Sequence, residues 1–141
     1  MGVYEREPGE IQNPAERDKK SINVLLVDDE EDFVNVISKR LRKRNINVTG
    51  VLSGTEAIRI LRRKDFDTIV LDLKMEDMDG IEVLKVVKKM IPEIPVIMLT
   101  GHGSETASKE GIEYGAFDYL TKPYDLEMLV TKIIEAAKRG K

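Results

Sequence analysis

Short apolar runs fall at 24–27, 68–71, 96–99 and 117–120, with a weaker run at 46–52. Continuous runs of this length, rich in Val, Ile and Leu, predict strands covered on both faces. Between them the period changes to that of a helix. Phe33, Val36, Ile37 and Leu41 form one stripe, and Ala57, Ile58 and Leu61 a shorter one. Val83, Leu84, Val87 and Ile91 form a third, stopped by Pro92, and Leu126, Leu129, Val130, Ile133, Ile134 and Ala137 the clearest of all. Each predicts an amphipathic helix with one face on a sheet. The 104–115 segment is poorer: Ala107, Ile112 and Tyr114 are its main apolar groups, and Gly111 weakens it. Strand then helix, five times over, predicts an α/β domain: a doubly wound (βα)5 fold with a five-stranded parallel sheet and right-handed crossovers. The common order for five such strands is the flavodoxin-like 2-1-3-4-5.

The polar stretch 1–20, with Pro8, Gly9 and Pro14, has no apolar period and predicts a disordered tail ahead of a domain over 21–141. The 141 residues fit one domain of ordinary size. With 23 basic and 26 acidic residues there is no basic excess of the kind that binds nucleic acid directly. Without cysteine there is no disulfide or thiol chemistry, and the lone His102 cannot build a multi-histidine site. No apolar run is long enough to span a bilayer and no signal-peptide pattern opens the chain, so the expected setting is cytoplasmic, away from membranes.

The candidate chemistry lies where the strands end. The first predicted strand runs into Asp28 and Asp29, the third into Asp72, the fourth into Thr100, and the fifth into Thr121, Lys122 and Pro123. In a parallel sheet these ends share one edge, and with order 2-1-3-4-5 strands one and three flank the switch point where ligands bind. Asp28, Asp29 and Asp72 should therefore converge. At about 4 Å and an effective dielectric of about 20, each carboxylate pair costs roughly 4 kcal/mol. A hard cation relieves that repulsion, and an all-oxygen donor set favours Mg²⁺, with Mn²⁺ as the alternative. A cation, the Lys122 ammonium and the Thr100 hydroxyl around one carboxylate suit a phosphoryl group.

Four stretches, "VDDE", "VLDLKMEDMDG", "LTGHG" and "YLTKP", occur in this order at the four strand ends. Together they resemble the response regulator receiver domain of two-component signal transduction, over residues 21 to 139. The resemblance implies a signalling switch of the chemotaxis-regulator kind that catalyses only its own phosphorylation and dephosphorylation. Asp72 is then the phosphoacceptor, taking a phosphoryl group from a histidine kinase or phosphotransfer protein. Asp28, Asp29, Asp72 and the Lys74 backbone carbonyl hold Mg²⁺, and Lys122 pairs with a phosphoryl oxygen. Thr100 and Tyr119 are the switch pair, the Lys122–Pro123 bond is cis, and the 100–139 face controls a downstream protein or an output domain. Glu76 departs from the family, which often has proline there, and Lys74 and His102 occupy the places that tune phosphoryl lifetime.

Simpler roles exist for each residue: Asp28 and Asp29 as helix caps, Asp72 as a turn residue, Lys122 as a solvated lysine, Thr100 as a strand-end hydroxyl. Glu30 and Glu31 suit the first turn of a helix, and Asp77 and Asp79 a loop before Gly80. The basic stretches "SKRLRKRN" and "LRRK" suit solvated helix faces. A haloacid-dehalogenase-type phosphatase needs a D-x-D pattern after its first strand, which is absent, and no glycine-rich nucleotide-binding motif follows that strand. A pseudo-receiver scaffold working without phosphorylation is the remaining alternative. The sequence leaves open a phosphorylation-dependent dimer through the 104–139 face, and whether the chain stands alone or is a piece of a longer regulator or hybrid kinase.

Overall fold

The structure, a computed structural model, describes residues 21–101 and 105–139, so the 1–20 tail and His102 lie outside the described residues. Strands β1 (Ile22–Val27), β2 (Ile46–Val51), β3 (Thr68–Asp72), β4 (Val96–Thr100) and β5 (Asp118–Thr121) alternate with five helices. These are α1 (Glu31–Arg42), α2 (Gly54–Leu61), α3 (Gly80–Met90), α4 (Glu105–Glu113) and α5 (Leu126–Arg139). The strands form one parallel sheet in the order β2-β1-β3-β4-β5, as the alternation predicts.

The apolar runs of β1, β3 and β4 are explained by burial on both faces. Leu26, Val70, Ile97 and Leu99 face a core shared with α1 and α5, including Leu41, Leu129 and Ile133. Their strand neighbours Leu25, Val27, Ile69, Leu71 and Met98 face a second core with α2 and α3, including Ala57, Val83, Leu84 and Val87. Side chains alternate along each strand, so one run feeds both cores. No helix among the described residues is long and apolar enough to cross a membrane.

Three helix faces differ from the periodic prediction. On α1, Val36 is exposed and the buried stripe is Val34, Ile37, Ser38 and Leu41, with Phe33 half-buried. On α5, Ile134 is exposed and Ala136 is fully buried. On α4, Ile112 is exposed, as is Tyr114 just beyond its end, and the buried positions are Ser108 and Gly111. A Cβ on Gly111 would lie 2.1 Å from Met98 Sδ and 2.3 Å from its Cε. Gly111 is therefore the residue that lets α4 approach β4 closely, as well as one that lowers its helical propensity.

Helix starts are fixed by side chains. Ser53 Oγ accepts from the Glu56 N–H at 3.1 Å, and Glu56 Oε1 accepts from the Leu52 N–H at 3.0 Å, closing the start of α2. Asp79 Oδ1 accepts from the Ile81 N–H at 2.9 Å at the start of α3. Asn45, at φ 64°, turns the chain out of α1, a backbone region that asparagine tolerates.

Candidate functional site

The register determines what meets at the carboxyl edge of the sheet. Val27 lies beside Leu71, so the residues that follow, Asp28 and Asp72, emerge side by side. Asp72 in turn lies beside Leu99, and Thr100 beside Thr121, just before Lys122. One carboxylate oxygen from each of Asp28, Asp29 and Asp72 lies within 4.8 Å of the others. Lys122 Nζ stands 3.4 Å from Asp72 Oδ1 and 3.6 Å from Asp28 Oδ2. Thr100, buried, directs its hydroxyl to the Leu120 carbonyl at 3.4 Å, while Tyr119 next to it is 40% exposed. The Lys122–Pro123 peptide is cis. A cavity of about 490 Å³ opens here, lined by Asp29, Asp72, Lys74, Glu76 and Lys122 among others.

Sequence reasoning missed the support beneath this edge. Lys122 Nζ sits 5.1 Å from the centroid of the Phe33 ring, and Phe33 meets Tyr124 edge to face at 6.4 Å. Phe33 belongs to an apolar stripe and Tyr124 directly follows the K-P pair, but only the folded chain brings them together, where the segment after β5 meets the start of α1. Asp77 is also more than a loop residue. Its carboxylate accepts from the Gly54 N–H, the Thr55 N–H and the Thr55 hydroxyl, at 3.0–3.1 Å, holding the start of α2. A little burial opposes it, yet those hydrogen bonds hold the Asp77 carboxyl below the usual range.

The electrostatics are those of a site short of positive charge. Burial, and then the charge of Asp28, push the Asp72 carboxyl up to about 6, against the pull of Lys122. Burial also pushes Asp28 up, even though its Oδ1 accepts from the Glu30 N–H at 2.9 Å. Asp28 Oδ2 is buried without a hydrogen-bond partner, as is the Tyr124 hydroxyl. Three close carboxylates, one with an orphaned buried oxygen, fit a hard divalent cation with oxygen ligands.

This has a measurable consequence. The folded state holds the Asp72 proton up to about pH 6, whereas the free carboxyl lets it go near 3.8. Stability from this group is therefore fully present below about pH 4 and is lost as pH rises through about 6. In chelator, the protein is expected to gain up to about 3 kcal/mol from Asp72 between pH 7.5 and pH 4. Urea midpoints across that range check it, with Asp72→Asn as the control that lacks this contribution. A wild type that follows the Asp72→Asn curve removes the argument.

A profile of the response regulator receiver domain matches residues 24–134. A putative NtrX-like response regulator of Rickettsia bellii is 37% identical over 119 residues, covering 83% of this chain and 25% of that protein. The transcriptional regulatory protein GlrR of Escherichia coli is 35% identical over 121 residues, covering 86% of this chain and 27% of that protein. Among solved structures, the receiver domain of the Francisella response regulator 1452 superposes with a TM-score of 0.80 at 32% identity, covering 85% of this chain and 99% of the other. The chain thus spans about a quarter of the length of the curated relatives it matches.

Proposed function

The chain belongs to the family of response regulator receiver domains, and from that premise we propose that Asp72 accepts a phosphoryl group from a phosphohistidine on a histidine kinase or phosphotransfer protein. An Asp72 carboxylate oxygen attacks phosphorus, a P–O bond forms as the P–N bond breaks, and the imidazole leaves with its electron pair. Asp28, Asp29, Asp72 and the Lys74 carbonyl would hold Mg²⁺, or Mn²⁺ in its place. The cation would supply positive charge for the phosphoryl oxygens. Lys122 stands between Asp72 and Asp28 and can turn to a phosphoryl oxygen; Phe33 backs it. Lys74 at the rim places a second ammonium within reach of the cavity. The observation that carries this reading is the convergence of three carboxylates and Lys122 at the switch point of the sheet.

Incubation with Mg²⁺ and a small acyl-phosphate donor, followed by intact mass, tests it. One labile, Mg²⁺-dependent phosphoryl adduct is expected. No adduct from the donor or from a panel of phosphorylated kinases moves the reading to a scaffold that works without phosphorylation.

The signal leaves through Thr100 and Tyr119. Thr100 is one residue beyond Leu99, the β4 partner of Asp72, and its hydroxyl now bonds a β5 carbonyl. Turning it to the phosphoryl group frees that carbonyl and opens space for Tyr119. The 100–139 face then controls a downstream protein or an attached output domain, or pairs with a second copy. Thr100→Ala is expected to take up phosphoryl groups but to uncouple them from this face. Amide resonances of α4 and β5 should move on phosphorylation of the wild type and barely move in Thr100→Ala. Equal movement in both would defeat the coupling.

A further inference from the structure

The loop between β3 and α3 is pinned on two sides. The Glu76 N–H donates to Asp29 Oδ2 at 3.1 Å. The next residue, Asp77, is tied to Gly54 and Thr55 at the start of α2. The loop also closes on itself, the Gly80 N–H donating to the Leu73 carbonyl at 3.1 Å. Residue 76 is the position at which this sequence departs from the proline common in receiver domains. Proline has no N–H, so a chain with proline at 76 could not make the bond to Asp29.

We infer that the Glu76 backbone N–H is a positioning group for the cation site, holding the Asp29 carboxylate in place so that cation affinity in this chain depends on residue 76 not being proline. The inference rests on the cation reading proposed above. Asp29 is only partly buried and a lone carboxylate on a loop samples several rotamers. An N–H on one oxygen fixes the group and leaves the other oxygen for a cation. Partners that orient a ligating carboxylate in this way are worth about 10–100-fold in metal affinity. The anchor at Asp77 holds the loop independently of residue 76, so changing residue 76 does not release the loop. The glutamate side chain has no part in the bond.

Mn²⁺ titration of the full chain, read by the loss of the free-ion paramagnetic resonance signal, separates these roles. Glu76→Ala keeps the N–H and is expected to bind within about twofold of wild type. Glu76→Pro removes it and is expected to bind about tenfold more weakly, with a melting midpoint in chelator close to that of wild type. Equal affinity in Glu76→Pro and wild type overturns the inference and leaves the cation site standing. Equal losses in Glu76→Ala and Glu76→Pro overturn it too, by moving the effect to the side chain. A wild type that takes no Mn²⁺ removes the cation reading and this inference together. If Glu76→Pro does not fold, exchange of the Glu76 amide in wild type decides. Protection that vanishes in Asp29→Ala supports the inference, and exchange at the rate of an unbonded loop amide overturns it.

Discussion

Asp72→Asn is expected to lose phosphoryl uptake by roughly three orders of magnitude or more, the scale on which removing a nucleophile acts. The amide offers no anionic oxygen to attack phosphorus and brings no charge to a cation. Asp28 and Asp29 are the nearest carboxylates; each has one oxygen held by a backbone N–H, of Glu30 and Glu76 respectively, and the other would face the cation. Intact mass after exposure to an acyl-phosphate donor checks this. A persisting adduct in Asp72→Asn would mean that another carboxylate is the acceptor. The same substitution should stabilise the protein in chelator at pH 7.5, because it removes a charge that burial and Asp28 both oppose. Loss of chemistry with gain in stability separates a residue that performs the reaction from one that holds the fold.

Gly80→Ala is the second large effect, and it has the opposite signature. A Cβ there would stand 2.4 Å from Leu73 Cα, 2.7 Å from its carbonyl oxygen and 2.8 Å from its carbonyl carbon. These are backbone atoms, so no rotamer change gives relief, and either the loop or the start of α3 must move. We expect a loss of about 3 kcal/mol in urea unfolding, and weaker Mn²⁺ binding because the moving segment carries Lys74 and Glu76. The contrast with Gly111 is instructive: there the obstacle is the flexible end of Met98, which can swing aside. A Gly80→Ala protein within about 0.5 kcal/mol of wild type would show that the loop is softer than its hydrogen bonds suggest.

The strands were legible because burial on both faces writes itself into the sequence as apolar runs; their order came from what is common for five such strands, and the convergence of Asp28, Asp29, Asp72 and Lys122 followed from that order together with the parallel topology. The helix faces were less so. Periodicity favours large apolar residues, so it took Val36 and Ile134 for core, where the chain uses Ser38 and Ala136 to fit α1 and α5 close to the sheet. Gly111 looked like a weakness because its partner, Met98, lies on another element. The bonds that hold the loop at Asp29 and Asp77 were invisible for a related reason. One runs through a backbone N–H, which carries no letter in the sequence, and the other joins residues 22 or more apart.

The place of β1 between β2 and β3 also bears on how the chain is made. On a ribosome adding about 5–20 residues per second, β2 is complete roughly 1–4 s before β3 follows it. Through that interval β1 has a neighbour on one side only, and a two-stranded unit is marginal in water. An exposed "VLLV" edge is the kind of segment that recruits other nascent chains. The five acidic residues that directly follow it, Asp28 to Asp32, place like charge beside that edge, the arrangement by which gatekeeper residues oppose pairing with a second copy until β3 covers the edge.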